Sequence, residues 1–145
     1  MKHFNVRVYG ILIENGKLLV SDEYIKKHYI TKLPGGGLEF GEGTIECLVR
    51  EFKEELELEV EVTSHFYTTD FFVNSAFSSI SQVISIYYHV KPISPLNFTV
   101  SEKAHDHPQL KEGAQSMRWI DLNHLSENDF TFIIDKKVAE MLLDE

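Results

Sequence analysis

The sequence contains a single cysteine, Cys47, and no long apolar run in 145 residues. One cysteine excludes an internal disulfide and makes a reducing compartment the simpler expectation. The apolar runs are too short to cross a bilayer. The opening residues, MKHFNVRVYG, show neither the apolar core nor the cleavage site of a secretory signal. We therefore expect a cytoplasmic protein that does not contact a membrane.

Basic residues are also scarce, with 14 Lys and Arg against 23 Asp and Glu, for a formal net charge of -9. Binding of duplex nucleic acid requires a basic stripe that displaces counterions from phosphates, and the sequence has none. An acidic protein can still bind phosphates when a divalent cation lies between its carboxylates and the ligand.

Alternating apolar and polar residues predict strands along much of the chain. An Asn15-Gly16 pair predicts a tight hairpin between the first two strands. Residues 22–28 are predicted to form a polar connection, and the glycines at 35–37 to interrupt regular structure. The predicted strands cover residues 4–13, 18–21, 29–33, 56–62, 82–90 and 117–120.

Two segments show helical periodicity instead. From Thr44 the apolar residues recur at i, i+3, i+4, i+7 and i+11, which predicts an amphipathic helix that buries one face. A second helix is predicted near the C-terminus, with Asp129 as its N-cap. Residues 92–113 have little periodicity and are predicted to form a long irregular loop. Strands covered by helices indicate an α/β or α+β sandwich.

Three glutamates, Glu51, Glu54 and Glu55, share one face of the first predicted helix. Like charges at these spacings destabilise a helix, and acids near its C-terminal end oppose the helix dipole. One interpretation is a solvated charged face. The other is a set of oxygen ligands for a hard divalent cation. The glycines just before the helix favour the second interpretation, because their backbone can approach a ligand closely.

The segment resembles the Nudix hydrolase signature, G-x5-E-x7-R-E-U-x-E-E-x-G-U, where U is a bulky aliphatic residue. The resemblance covers residues 36–58 and implies one Nudix domain over residues 1–145, an α/β/α sandwich with a mixed sheet flanked by helices. One signature position departs, because Glu57 stands where the family has a glycine that ends the helix in a left-handed conformation. The matching polar and glycine positions are Gly36, Glu42, Arg50, Glu51, Glu54 and Glu55.

The resemblance implies a hydrolase that uses Mg²⁺, with Mn²⁺ as a substitute, to cleave a diphosphate bond in a nucleoside diphosphate linked to another group. Its substrate would be a small nucleotide, with nucleoside triphosphates favoured, and the protein would be a monomer or a homodimer. The implied metal ligands are Glu51, Glu54, Glu55 and the backbone carbonyl of Gly35. The implied substrate-binding residues are Gly35, Gly36 and Gly37.

Further roles follow from the same resemblance. Arg50 would orient a glutamate through a bidentate pair, and Glu42 would be the loop acid of the signature, either as a structural residue or as an aid to the base. Glu54 and Glu55 are also counted among the catalytic residues. A general base outside the signature is expected in the irregular loop, with Glu112 as the first candidate and Glu102 as the second, and a base inside the signature stays open.

Two other functions are compatible with the sequence: a Nudix domain that binds a nucleotide as a sensor without cleaving it, and a structural calcium site. The His105-Asp106-His107 run fits no common zinc pattern and is interpreted as surface polarity. Glu46 is expected to pair with Arg50 along the helix. One aromatic side chain is expected to contact the substrate, and the candidates are Phe40, Tyr67, Phe71, Phe72 and Tyr88.

Overall fold

The computed structural model describes residues 1–145 as a mixed β-sheet structure with two α-helices, which confirms the predicted α+β class. A short 3₁₀ helix, Glu127–Asp129, precedes the second α-helix. Neither α-helix is long and apolar enough to cross a membrane. The strands are β1 His3–Glu14, β2 Lys17–Ile25, β3 His28–Lys32, β4 Gly35–Gly37, β5 Val60–Thr68, β6 Asn74–Ser75, β7 Ser78–Pro92 and β8 Ala114–Asp121, and the helices are α1 Thr44–Leu56 and α2 Ile133–Leu143.

The first of two compact units comprises Met1–Ile11 and Gly35–Leu96. Its strands follow the order β1, β7, β5, with β4 paired to β1 and β6 paired to β7. The apolar face of α1 is buried, as the helical periodicity predicts. The ring of Phe52 on this face occupies the space beside Gly10, where a Cβ atom would lie 2.5 Å from the ring. Helix α1 therefore covers the face of β1 to which Gly10 belongs.

The second unit comprises Leu12–Pro34 and Asn97–Glu145, and β2 pairs with the end of β1, with β3 and with β8. The predicted hairpin is confirmed: Asn15 and Gly16 both have positive φ, 52° and 75°, as the tight turn requires. The prediction of a polar connection after residue 21 is wrong. Strand β2 continues to Ile25, because Asp22 is buried and paired with Arg118 of the neighbouring strand.

The prediction that the glycines at 35–37 interrupt regular structure is wrong. They form β4, which pairs antiparallel with β1 so that Gly36 lies opposite Val8 and Gly37 opposite Arg7. Strand pairing uses backbone N–H and C=O groups, which glycine provides like any other residue. Hydrogen bonding to an available strand therefore outweighs the low intrinsic strand preference of glycine.

Helix α1 ends at Leu56, and Glu57 takes the left-handed conformation that the signature glycine would take, with φ 51° and ψ 35°. The Glu57 N–H group donates to the carbonyl of Lys53 at 3.0 Å. Strand β5 begins only at Val60, so the prediction of a strand from residue 56 is four residues early. The helix thus ends as the signature requires, although a glutamate occupies the capping position.

At the C-terminus, α2 begins at Ile133 with Phe132 as its N-cap, so the prediction of Asp129 as the N-cap is wrong. Asp129 instead lies in the 3₁₀ helix, where its carboxylate accepts a hydrogen bond from the Ser126 N–H group at 2.8 Å. The long connection between β7 and β8 is confirmed. Val100, within this connection, forms an isolated bridge with Met117 of β8.

Candidate active site

The start of α1 is stabilised by a residue of its own first turn. Gly43 precedes the helix in an extended conformation, and its N–H group donates to the Glu46 carboxylate at 2.8 Å. This contact satisfies one of the unpaired N–H groups at the helix start. The expected pair between Glu46 and Arg50 is therefore wrong, because the Glu46 side chain is directed backwards to cap the helix.

Arg50 forms a bidentate ion pair with Glu42, which lies in the loop before α1. The Nε and Nη2 groups donate to the two carboxylate oxygens at 2.9 and 2.7 Å, and Nη2 also donates to the Gly37 carbonyl at 3.2 Å. The Arg50 hydrogen bonds lower the pKa of Glu42 to about 2. The same pairing with Glu42 raises the pKa of Arg50 above its usual range. Glu42 is therefore ionised at neutral pH and ties the loop to the helix.

The third nitrogen of Arg50 joins two of the sequence-predicted metal ligands. Nη1 donates to Glu51 Oε1 at 3.0 Å and to Glu54 Oε2 at 3.1 Å. The Glu51 side chain is 13 % exposed and the Glu54 side chain 58 % exposed, so one carboxylate is enclosed and the other faces solvent. Two carboxylates therefore converge on one position that already holds a cationic N–H group.

Strand β4 encloses the Glu51 carboxylate from the other side. A Cβ atom at Gly36 would lie 2.5 Å from the Glu51 carboxyl carbon and 2.6 Å from each of its oxygens. Only a residue without a side chain leaves room for the carboxylate here. Gly35, the predicted carbonyl ligand, is buried beside Gly36 in the same strand.

The carboxylates fit a hard divalent cation in their chemistry and in the convergence of Glu51 and Glu54. They are not preassembled as a cluster, because no three His, Cys, Asp or Glu side chains lie in metal-holding positions. Glu55, the third predicted ligand, is half-buried on α1 next to Glu54. The structure thus brings two of the three predicted side-chain ligands together around Arg50.

Cys47 lies inside this region without the properties of a nucleophile. Its side chain is fully buried, and its thiol donates to the Gly37 carbonyl at 3.5 Å. Burial, followed by the hydrogen bond with Glu42, raises the pKa of Cys47 to about 12. The thiol is therefore protonated at neutral pH and serves packing.

The two predicted bases outside the signature lie in the connection between β7 and β8. Glu112 accepts a hydrogen bond from the backbone N–H of Lys26 at 2.8 Å, within the second unit. Glu102 is exposed.

The interpretation of His105 as surface polarity is wrong. Its ring is half-buried, with Nε2 3.3 Å from the Thr31 hydroxyl and 4.0 Å from an Asp22 oxygen. Burial lowers the pKa of His105. Burial raises the pKa of Asp22, but hydrogen bonds from Arg118 and Thr31 outweigh it, so the net shift is downward. Sequence reasoning missed this buried network because a lone Asp in a polar stretch gives no signal.

The candidate aromatic residues divide by exposure. Tyr67 is buried, and its hydroxyl donates to Asp70 at 2.6 Å. The hydroxyl of Tyr88 is 2.6 Å from that of Thr44, at the start of α1. Phe40 and Phe72 are largely exposed. Tyr88 and Phe71 are half-buried. The buried Tyr67 therefore serves the fold, and the exposed phenylalanines are available for a ligand.

Comparison with known proteins identifies the family to which this chain belongs. The family model of the NUDIX domain matches residues 1–141. The chain belongs to the NUDIX family. No curated protein matches its sequence. NUDIX hydrolases generally use divalent metals and act on small nucleotide-type substrates, which agrees with carboxylates that converge on one cationic position.

Solved structures share the NUDIX fold at low sequence identity. A NUDIX hydrolase from Nitrosomonas europaea is similar with a TM-score of 0.69 and 17% identity, over 95% of this chain and 87% of that one. A MutT NUDIX hydrolase from Burkholderia pseudomallei has a TM-score of 0.68 and 16% identity, over 96% and 98% of the two chains. An ADP-ribose pyrophosphatase from Streptococcus suis 89-1591 has a TM-score of 0.61 and 18% identity, over 95% and 86%.

Proposed function

We propose that this NUDIX protein is a divalent-metal-dependent hydrolase that cleaves a diphosphate bond in a nucleoside diphosphate linked to another group, with nucleoside triphosphates favoured. The observation that carries the proposal is the convergence of the Glu51 and Glu54 carboxylates on Arg50 Nη1. Gly36 adds to this, because it leaves room for the Glu51 carboxylate against strand β4, which a solvated helix face does not require.

The residues that would hold the cation are Glu51, Glu54, Glu55 and the carbonyl of Gly35, with Mg²⁺ as the proposed ion and Mn²⁺ as a substitute. When bound, the cation supplies charge neutralisation at phosphate oxygens and a water of lowered pKa. NUDIX relatives that act on diphosphates, such as the ADP-ribose pyrophosphatase, support the reaction type.

The chain's own groups hold this arrangement in place. Glu42 is ionised at neutral pH, so it cannot donate a proton, and its pair with Arg50 fixes the loop against α1. Gly35, Gly36 and Gly37 are proposed to bind the substrate, and Gly37 has the open space, because a Cβ atom there would lie 3.6 Å from Arg7 Nη1, a cation that suits a phosphate oxygen. We propose that Glu42 and Arg50 position the carboxylates, whereas Glu54 and Glu55 act at the reacting centre.

The general base is proposed to lie outside the signature, at Glu112 or Glu102. Inside the signature, the alternative is Glu54, whose exposed carboxylate is accessible to water. Comparing the pH dependence of activity in Glu112→Gln, Glu102→Gln and Glu54→Gln would separate these choices. The base is the residue whose replacement removes the acidic limb of the pH profile.

The function is tested by incubating the purified protein with a panel of nucleoside triphosphates, ADP-ribose and dinucleoside polyphosphates, with Mg²⁺, Mn²⁺, Ca²⁺ or EDTA. We expect turnover of at least one nucleotide with Mg²⁺ or Mn²⁺ and a loss of about 100-fold or more in Glu54→Gln. Glu46→Gln is the matched control, because Glu46 lies on the same helix and caps it without joining the Arg50 cluster. Equal turnover in wild type and Glu54→Gln would overturn the proposal.

Two outcomes favour the other functions. Nucleotide binding without turnover under every condition would indicate a sensor. A melting temperature raised by Ca²⁺ without any nucleotide binding would indicate a structural calcium site. A single domain over residues 1–145, a monomeric or homodimeric state and a cytoplasmic location stay predictions from the sequence.

A further inference from the structure

A histidine fixes residues 97–113, the part of the β7–β8 connection that belongs to the second unit. The backbone of His105 has a φ of 54°, a left-handed conformation that is unfavourable for a residue with a Cβ atom. Its N–H group donates to the buried carboxylate of Asp22 at 3.2 Å. Its ring packs edge-to-face against Tyr29, with the ring centroids 5.2 Å apart. The backbone and the side chain of His105 therefore both hold the connection on β2 and β3.

The hydrogen bonds around the His105 ring define its tautomer. The Thr31 hydroxyl has one proton, which it donates to Asp22 Oδ1 at 2.7 Å. The Thr31 oxygen, 3.3 Å from His105 Nε2, is therefore an acceptor, so Nε2 carries the proton of the neutral ring. The unprotonated nitrogen is then Nδ1, which is buried without a hydrogen-bond partner.

This position disfavours the protonated form of His105. A second proton would bind at Nδ1, where the new N–H group would be buried without an acceptor. Asp22 lies 4.0 Å from Nε2, but Arg118 already neutralises it through hydrogen bonds of 2.8 and 3.1 Å. Burial therefore lowers the pKa of His105, and the Asp22 charge opposes this shift only in part.

The other groups around His105 do not reverse this preference. The charged and titratable ones come from each neighbouring strand and from the connection itself: Asp22 in β2, Tyr29 in β3, Arg118 in β8, and His107. The His107 ring centroid is 6.0 Å from that of His105, and both His107 ring nitrogens are buried without a hydrogen-bond partner. Arg118 adds positive charge, which acts against a second cation. Of these groups, Asp22 alone favours a protonated His105 ring.

We propose that the neutral His105 ring is a pH-sensitive restraint on the β7–β8 connection, which acidification from pH 7.5 to 5.5 weakens. An exposed histidine has a pKa of about 6.5, so a connection that has opened takes up a proton in this range, whereas the closed one resists it. The stability of the closed connection is therefore fully present above about pH 6.5 and is lost as the pH falls below that value. The inference does not depend on the proposed hydrolase activity.

The size of the effect follows from the uptake of one proton. At pH 5.5, one unit below the ordinary histidine pKa, protonation stabilises the open connection about tenfold relative to pH 7.5. This full factor is reached when the closed ring stays neutral at pH 5.5. The opening equilibrium should therefore increase severalfold, up to about tenfold, over this interval.

Amide hydrogen exchange measures this opening even when the open form is rare. Protection factors, corrected for the intrinsic effect of pH on exchange, are compared at pH 7.5 and 5.5 in buffer with EDTA. The reporters are the amides of His105 and Ser101, the second of which donates to the Met117 carbonyl at 2.8 Å. The reference is the Leu122 amide, which donates to the Gly16 carbonyl at 2.9 Å in the same unit. We expect a severalfold loss of protection at the reporters and no comparable loss at Leu122.

His105→Gln tests whether this histidine is the titrating group. His124→Gln is the matched control, because His124 is an exposed histidine of the same unit outside the connection. We expect the ratio of protection factors between the two pH values to approach one in His105→Gln and to equal the wild-type ratio in His124→Gln. This ratio decides the test even if glutamine loosens the connection at both pH values. A pH-independent wild type, an equal loss at Leu122, or a wild-type ratio in His105→Gln would overturn the proposal.

Discussion

Replacing Glu57 with glycine is predicted to stabilise the protein. Glu57 holds φ 51° and ψ 35°, a left-handed conformation that costs a residue with a Cβ atom about 1–2 kcal/mol. Glycine avoids this cost, but its more flexible unfolded chain opposes folding by about 0.5–1 kcal/mol. The replacement also removes an acid from the C-terminal end of α1, a gain of about 0.3 kcal/mol. The net expectation is about 1 kcal/mol of added stability.

Thermal unfolding followed by circular dichroism measures this effect. For a chain of this size, a gain of about 1 kcal/mol raises the Tm by about 2–4 °C. Glu57→Ala is the matched control, because it removes the charge and keeps the strain, so it should raise the Tm by only about 1 °C, in proportion to the charge effect. The reasoning is refuted if the glycine variant melts at or below the wild-type temperature, or if alanine stabilises as much as glycine.

Three further predictions concern substitutions of Gly36, Glu42 and Asp22. Gly36→Ala would displace the Glu51 carboxylate, because the added methyl group falls 2.5 Å from it, and we expect activity about 100-fold lower with little change in Tm. The lowered pKa of Glu42 stabilises the fold above pH 4.5, and this contribution is lost as the pH falls towards 2. The Tm difference between wild type and Glu42→Gln should therefore shrink over that interval, and a constant difference would contradict the pairing. Asp22→Asn leaves Arg118 without its buried counter-charge and should cost about 3–5 kcal/mol in urea unfolding. The double variant Asp22→Asn/Arg118→Met should recover much of this loss, and a purely additive result would count against the ion pair.

The local patterns of the sequence predict the parts of the fold in which side chains determine the backbone. The apolar stripe ending at Leu56 predicts α1 because burial of one helix face requires that spacing. The Asn15-Gly16 turn is predictable because both residues tolerate positive φ. The signature likewise predicts that Glu51 and Glu54 lie near one another, since the helix fixes their spacing.

Features that depend on a distant partner could not be predicted. Strand β4 forms because β1 offers backbone hydrogen bonds, and three consecutive glycines do not indicate which strand they will pair with. Asp22 appears as a loop residue until Arg118, 96 positions later, is brought beside it. The pocket at the beginning of β1 likewise combines the N-terminus with residues after position 71, which no local pattern connects.

Arg50 has a consequence for how this protein would respond to metal ions. Its Nη1 group supplies positive charge to Glu51 and Glu54, while Nε and Nη2 remain bonded to Glu42. Entry of a divalent cation between those carboxylates is therefore an exchange of one cation for another. In the proposed metal-dependent enzyme, the metal affinity would report the difference between the two, so a variant that weakens the Arg50 hydrogen bonds to Glu51 and Glu54 would bind metal more tightly even as it loses stability.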